Sequence, residues 1–161
     1  MARVRKTTSA LIEPLGSDLV ALAQAHALDA TVFPHSSIPP VFGPDSPPAV
    51  WVARVDYDMP VVGFIATRAS RSGAHVLEIA GLAVDEAYRR AGIARALVRA
   101  AVRSARSRGM DSVELHVSTG NPEALALYAS ERFRKDRCIT GFYSSRRFPD
   151  GGDAWVMVKD V

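Results

Sequence analysis

Cysteine and long apolar segments are what this sequence lacks most clearly. Its one cysteine, Cys138, has no partner for an internal disulfide, which is typical of a reducing compartment. No apolar run approaches the roughly 20 residues of a membrane-spanning helix, and the first residues lead into no signal-peptide core. We therefore expect a cytoplasmic protein without membrane contact, in which Cys138 is a packed thiol on a strand rather than a nucleophile.

The sequence also lacks internal repeats, low-complexity tracts and any large excess of charge. Its net charge of +3 is too small to indicate a nucleic-acid partner, so we expect no sequence-specific binding to nucleic acid. Of its 161 residues 48% are hydrophobic, which is enough for a core and argues against disorder. We expect a single domain over residues 1–161.

Apolar periodicity predicts an α/β protein with a mixed, mostly antiparallel sheet. Strands are expected at residues 4–12, 50–55, 61–66, 76–84, 112–117, 137–143 and 154–158. Helices are expected after a cap at Ser17 or Asp18, from Ile93 to a stop before Gly109, and at residues 122–130. The first helix should reach about Leu28, and a proline-rich loop should follow it.

The most informative motif lies between the strand at 76–84 and the helix that starts at Ile93. Its sequence, Arg89-Arg90-Ala91-Gly92-Ile93-Ala94, fits the pattern Arg/Gln-x-x-Gly-x-Gly/Ala. A helix start without bulky side chains exposes backbone N–H groups, and the helix dipole adds partial positive charge. The segment lacks the Gly-Lys-Ser/Thr of a P-loop and the three-glycine spacing of a dinucleotide fingerprint. It therefore predicts a different kind of pyrophosphate site.

A second block follows at residues 114–128, where a strand leads through Asn121 into a helix that carries Leu127 and Tyr128. The two motifs and the segment between them span about residues 77–133. Their order and separation resemble those of the corresponding motifs in the GNAT superfamily of acetyl-CoA-dependent N-acetyltransferases. The resemblance implies the GNAT fold, with about seven strands flanked by about four helices. It also implies acetyl-CoA as the co-substrate and no metal.

The resemblance further implies which residues would bind the cofactor. The pyrophosphate site would comprise Arg89, Arg90, Ala91, Gly92, Ile93, Ala94 and Arg95. Backbone N–H groups at Leu82, Ala83 and Val84, where the strand splays, would meet the oxyanion and the pantetheine amides. Asn121 would bond the cofactor, although an Asn before Pro is equally a helix cap. Tyr128 would lie beside the sulfur.

Acetyl transfer requires an uncharged amine, so a base must act first. An α-amino group has a pKa near 8 and lysine one near 10.4, so neutral lysine costs roughly 3 kcal/mol more. His116 has suitable chemistry, although a strand histidine can equally pack in a core. Similarity to the N-terminal protein acetyltransferase branch implies that His116 and Tyr88 remove the proton through water, with Glu78 as the rival base. Tyr128 would then protonate the leaving thiolate, although its pattern also fits a core residue.

The acceptor side is also similar to that branch. Phe33 and Pro34 would form an apolar pocket for the first residue, with Tyr143 on the final loop, although Phe33 and Tyr143 also fit a core. These features favour the N terminus of a protein or peptide, of the ribosomal-protein-modifying or Met-recognising kind, and ribosome docking stays open. One alternative is a small-molecule acetyltransferase for a polyamine or antibiotic, which often demands an acidic pocket. Another is a non-catalytic acyl-CoA-binding regulatory module, which would need no catalytic residues.

Two arginine features remain. Arg95, Arg99 and Arg103 fall four apart, so they share one helix face, which is either solvated or attracts a polyanion. Arg132 stands before Phe133 where the family usually has Gly, which predicts a strained left-handed residue at a helix end.

Overall fold

The computed structural model describes residues 10–33, 37–38, 50–143 and 152–161, and its centre is one seven-stranded sheet. The spatial order is β1-β2-β3-β4-β5-β7-β6. Among the pairs of described strands only β4–β5 is parallel, so the expected mixed, mostly antiparallel sheet is confirmed. The strands are β1 Leu11–Pro14, β2 Val50–Arg54, β3 Val61–Ala69, β4 Val76–Val84, β5 Ser112–Ser118, β6 Arg134–Ile139 and β7 Ala154–Asp160.

The described residues contain three α-helices, α1 Leu19–Val32, α2 Ile93–Ser107 and α3 Pro122–Ser130, and a 3₁₀ turn at Glu86–Tyr88. The cap of α1 is Asp18, whose Oδ1 accepts a hydrogen bond from the Ala21 N–H at 2.9 Å. None of these helices is long and apolar enough to cross a bilayer.

The helices cover opposite faces of the sheet. The apolar side of α2 packs into a cluster with one face of the sheet, and Tyr128 of α3 joins the same cluster. The small residues Ala21 and Ala25 of α1 pack in a second cluster against the other face of β2, β3 and β4. On that second face, the paired parts of β4 and β5 carry two buried carboxylates, Glu78 and Glu114. Helix α1 packs less closely against this part of the sheet than against β3.

The parallel pair β4–β5 is short, and this positions the site. It joins Val76–Ile79 to Ser112–Leu115 and ends there. On its other edge, β4 has a register shift opposite Ala66 and Thr67, which leaves Ala80 without a partner in the ladder. Beyond Ile79 the two strands diverge, as expected for a strand that splays near residues 82–84.

Several boundaries differ from the sequence-based expectation. Most of the predicted strand at 4–12 lies outside the described residues, and β1 begins only at Leu11. Helix α1 continues four residues past Leu28 and ends before Phe33, which precedes a proline. Strand β6 lies earlier than predicted, because it follows directly on Phe133 and ends at a turn in which Gly141 has φ 68°.

The prediction that Cys138 is packed is wrong, because its side chain is exposed. Strand β6 is one of the two edge strands of the sheet, and its residues are exposed from Arg134 to Cys138. Cys138 is exposed because no other part of the described structure covers this strand at that position.

Helix α3 ends in a left-handed residue that is not glycine, as expected. Arg132 has φ 66°. Its N–H donates to the Ala129 carbonyl at 3.0 Å, and the Phe133 N–H donates to the Tyr128 carbonyl at 3.0 Å. This pair of bonds is the Schellman motif, in which glycine is usual at the left-handed position.

We expect Arg132→Gly to raise the free energy of unfolding by about 0.5–1 kcal/mol, because it removes the left-handed strain but adds freedom to the unfolded chain. The thermal midpoint should rise by about 1–4 °C. Arg132→Ala is the control, since it removes the same charge and keeps the strained Cβ. An equal rise in both variants, measured by thermal and urea unfolding, would assign the effect to charge and contradict the strain argument.

Candidate active site

The segment before α2 forms an open cluster of backbone donors. Gly92 is the cap residue with φ 81°, it offers no side-chain cap, and Arg90 is also left-handed at φ 65°. The first helical bond runs from the Ala96 N–H to the Gly92 carbonyl at 3.0 Å. Within the described residues, the N–H groups of Ile93, Ala94 and Arg95 have no acceptor, so they are available to an anion. Such free donors are what a pyrophosphate site requires, and the site itself stays a prediction.

Strand β4 presents a second row of donors at the gap where it leaves β5. The Asp85 N–H donates to the Val62 carbonyl at 2.8 Å, which identifies Val84 and Gly63 as a pair without mutual hydrogen bonds. By alternation, Leu82 and Val84 turn their N–H groups away from β3 and into the gap, whereas Ala83 turns its own toward β3. The gap can thus take an amide-bearing chain or an oxyanion at Leu82 and Val84.

A cleft of about 420 Å³ opens over the paired part of β4 and β5. Its floor is formed by Glu78 of β4 and by Glu114 and His116 of β5, which share the face opposite α2. His116 is the first β5 residue beyond the end of the parallel pairing with β4. The remaining lining residues come from the β3–β4 hairpin, β6 and the segment after it: Arg68, Arg71, Ser72, Arg137 and Phe142.

Glu78 is engaged on both carboxylate oxygens. The Nε of Arg68 donates to its Oε2 at 2.8 Å, and the Nη2 of Arg68 donates to its Oε1 at 2.7 Å. Nδ1 of His116 lies 3.6 Å from the same Oε1. Burial alone would raise the pKa of Glu78, but His116 and Arg68 together outweigh it and lower that pKa to about 2. A carboxylate held ionised in this way is a poor proton acceptor, which disfavours Glu78 as the base.

The side chain of His116 lies between β5, which carries it, and the ring of Phe142. This side chain is 19% exposed. The ring of Phe142 stacks on it, with 4.4 Å between centroids and 5° between planes, and Tyr143 meets Phe142 edge-on at 4.9 Å. Burial raises the pKa of Tyr143 to about 12, so its hydroxyl stays protonated.

Tyr128 lies on the other face of the sheet, in the cluster under α2. It is 7% exposed and meets the ring of Phe133 edge-on at 5.7 Å. Burial, with a smaller contribution from nearby Tyr143, raises the pKa of Tyr128. A phenol that stays protonated suits a proton donor, and it also suits an ordinary core residue.

Tyr88 ends the 3₁₀ turn and packs, partly buried, against the α2-side cluster. The described residues show no hydrogen bond between Tyr88 and His116, so the structure does not bring the predicted pair into direct contact. Asn121 is shown as a helix cap, because its Oδ1 accepts from the Ala124 N–H at 3.0 Å. A hydrogen bond from Asn121 to a cofactor stays a prediction. A water-mediated link between Tyr88 and His116 also stays a prediction.

Phe33 and Ser37, which follow α1, lie over β4. A Cβ on Gly81 would come within 1.9 Å of Ser37 Oγ and 3.5 Å of the Phe33 ring, so only glycine permits this approach. Ser37 is held there by the buried carboxylate of Asp29, which accepts its N–H at 3.1 Å. Phe33 thus stands near the gap, as an acceptor pocket would require, and Pro34 lies outside the described residues.

The arginine face of α2 was expected either to be solvated or to attract a polyanion, and the structure shows ion pairs there instead. Arg99 binds Glu131 through two bonds of 2.9 and 3.0 Å, and Arg95 reaches the same carboxylate at 3.1 Å. Glu131 is buried at the end of α3. Two of the three residues therefore join α2 to α3 rather than standing free in solvent.

Sequence reasoning missed the arginines of the cleft, Arg68, Arg71 and Arg137. The usable signal was the β3–β4 hairpin, whose register places Arg68 directly opposite Glu78. A strand taken to end at Ala66, three residues short of the observed end, concealed that pairing. The sequence predicts that Arg137 begins a strand at residues 137–143, and this start hides the face on which Arg137 lies, because β6 begins at Arg134.

Comparison with known proteins finds a matching family and similar relatives. The model of the acetyltransferase (GNAT) family matches residues 18–132. An N-alpha-acetyltransferase of Saccharolobus solfataricus is 32% identical over 123 residues, which is 70% of either chain.

Two solved structures share the fold. Arabidopsis thaliana Naa50 in complex with the bisubstrate analogue CoA-Ac-MVNAL superposes with a TM-score of 0.72 at 23% identity, over 95% of this chain and 99% of that one. The ribosomal-protein-S18-alanine N-acetyltransferase from Escherichia coli gives 0.71 at 21% identity, over 94% of each. At such identities these structures establish the fold and not the substrate. The chain belongs to the acetyltransferase (GNAT) family and is an acetyl-CoA-dependent N-acetyltransferase.

Proposed function

We propose that the acceptor is the α-amino group of a protein or peptide N terminus. The observation that carries this proposal is the position of His116, which lies in an open cleft at the point where β4 and β5 diverge. The N-alpha-acetyltransferase name of the 32% identical relative supports the same acceptor. So does the peptide portion of the analogue bound to the structural neighbour.

Each candidate residue has one role in the proposed reaction. His116, aided by Tyr88 through water, accepts the proton that the ammonium of the substrate gives up. The amine nitrogen then bonds to the acetyl carbon while the N–H groups of Leu82 and Val84 meet the negative charge on the carbonyl oxygen. The carbon–sulfur bond breaks, the hydroxyl of Tyr128 protonates the sulfur, and the second proton of the nitrogen leaves to solvent, from which Tyr128 is reprotonated. The donor is held by the backbone at residues 89–95.

The charge of the cleft disfavours the small-molecule alternative. Both floor carboxylates are buried and engaged, Glu78 by Arg68 and Glu114 by a hydrogen bond from the Ser70 hydroxyl. The groups at the mouth are guanidiniums, of which Arg71 has no partner among the described residues. A polyamine or aminoglycoside carries several positive charges and would be repelled, whereas a peptide N terminus carries one.

Three further points belong to the same proposal. The non-catalytic alternative does not explain the open cleft at His116. The continuous sheet of the described residues supports one domain over residues 1–161. We place the enzyme in the cytoplasm, where nascent N termini are available, and the ribosomal-protein substrate named for one structural neighbour is consistent with docking on ribosomes.

The test is a panel of acceptors with acetyl-CoA as donor, followed by release of CoA thiol. The panel contains peptides that differ in their first two residues, the same peptides with blocked N termini but a free lysine, and polyamines and aminoglycosides. We expect turnover only where the α-amine is free, with the product acetyl group located on that amine by mass spectrometry. Turnover of small polycations alone would overturn the acceptor class, and tight binding of CoA without any turnover would favour the regulatory module.

A further inference from the structure

We propose that Glu78, held in place by Arg68, is a positioning residue for the reaction: it orients the imidazole of His116 and fixes which ring nitrogen carries the proton. This inference rests on the proposed role of His116 as the base. It replaces the earlier alternative in which Glu78 itself removes the proton from the amine.

The sheet register brings the three side chains together on one face. Arg68 of β3 lies opposite Glu78 of β4, and Glu78 lies opposite Glu114 of β5. His116 is two residues beyond Glu114 and therefore points to the same side. The contact thus follows from strand pairing and does not depend on a mobile loop.

The distances assign a distinct task to each partner. Arg68 binds both oxygens of Glu78 in a forked, bidentate geometry, which fixes the plane of the carboxylate. Of the two ring nitrogens, Nδ1 of His116 is the one that faces Glu78, at 3.6 Å. A proton on Nδ1 is attracted to this carboxylate, and Nε2 is then left with the lone pair that a base needs. The stacked ring of Phe142 restrains the tilt of the imidazole.

The alternative role for Glu78 is chemically weak. With a pKa of about 2, its carboxylate takes a proton from an α-ammonium with pKa near 8 only against an equilibrium of about a million to one. Both of its oxygens also accept hydrogen bonds from Arg68, so an amine would have to share an oxygen that the guanidinium already stabilises in the charged form.

Charged groups from its own strand and from four neighbouring segments line the cleft with His116 and set the sign of the test. They are Arg68 on β3, Arg71 on the β3–β4 turn, Glu78 on β4, Glu114 on β5 and Arg137 on β6. Glu78→Gln removes the nearest negative charge and leaves all three arginines, so protonated His116 becomes less favourable. Arg68→Gln removes a positive charge and leaves Glu78, so protonated His116 becomes more favourable. The two variants should therefore shift the acid limb of kcat/KM in opposite directions.

The experiment measures pH profiles, kcat and KM for both variants, together with ¹⁵N NMR of His116 in the enzyme with and without acetyl-CoA. For Glu78→Gln we expect kcat to fall roughly 10- to 100-fold, which is part of what a general base contributes. KM for acetyl-CoA should stay within about twofold, and the acid limb should move to lower pH by about one unit. NMR should show loss of the preference for protonated Nδ1, and Glu78→Asp should restore part of that preference.

Glu131→Gln is the matched control, because Glu131 is also a buried carboxylate bound by an arginine fork. It should lower the thermal midpoint without moving the acid limb. Arg68→Gln keeps the proposal testable if Glu78→Gln fails to fold, since the side chain of Arg68 is 59% exposed.

Three results would overturn the inference: acid limbs that do not move, a His116 tautomer that is the same in all variants, or a Glu78→Gln defect that adds fully to that of His116→Ala. The NMR result does not depend on the acceptor. A tautomer change without peptide turnover would therefore contradict the proposed function and leave the positioning role intact.

Discussion

Replacing His116 with alanine should lower kcat/KM for a peptide acceptor by about 10²- to 10⁴-fold at neutral pH, which is the usual contribution of a general base. The ammonium form of the substrate has no lone pair, and His116 is the side chain at the strand divergence whose ring can take the proton. The loss should fall on kcat, because the backbone donors at the start of α2 and along β4 are unaffected. Steady-state kinetics with both substrates varied would measure it.

The same variant should recover as the pH rises. An α-amine has a pKa near 8, so between about pH 7 and 9 the uncharged fraction in solution grows and the need for a base declines. Added imidazole should restore part of the rate, because removal of the side chain leaves space in the cleft. A variant that loses the same factor at every pH, or one that keeps the wild-type rate, would contradict the assignment of His116 as the base.

The fold was predictable because its main elements follow from local pattern. The apolar run at Val76–Val84 is bounded as expected, and Gly92, Gly109 and Asn121 mark helix ends whose backbone geometry they determine. Strand β6 was misplaced for a physical reason. An exposed edge strand buries neither face, so its sequence, Arg134–Ile139, carries no alternation that separates it from a loop.

The site was predictable where main-chain chemistry determines it and was not where tertiary contacts do. The donors near Gly92 follow from a helix start without a cap, which the residues themselves show. The link of Glu78 to Arg68 and His116 depends on the register of three strands, and the hairpin pattern indicates only the β3–β4 part of it. The stacking of Phe142 on His116 depends on where β6 ends. Such contacts join residues that are far apart in the chain.

Gly92→Asp should weaken binding of acetyl-CoA at least about 100-fold, because it adds a carboxylate where the first-turn N–H groups of α2 would hold a doubly charged pyrophosphate. The matched control is Gly109→Asp at the other end of the same helix. Gly92 and Gly109 are both left-handed, with φ 81° and 66°, and a Cβ at either position meets no atom within 4 Å. The two variants therefore have the same change in charge and a similar backbone cost of about 1 kcal/mol.

Titration calorimetry with acetyl-CoA and with CoA separates strain from recognition. We expect Gly109→Asp to bind within about twofold of the wild type and Gly92→Asp to lose affinity, with the loss decreasing as salt is raised, because screening weakens charge repulsion. The loss should be much smaller with a pantetheine thioester that lacks the pyrophosphate, since that donor uses only the Leu82 and Val84 edge of β4. Equal losses in both variants would mean that helix strain, and not the cluster of backbone donors before α2, explains the effect.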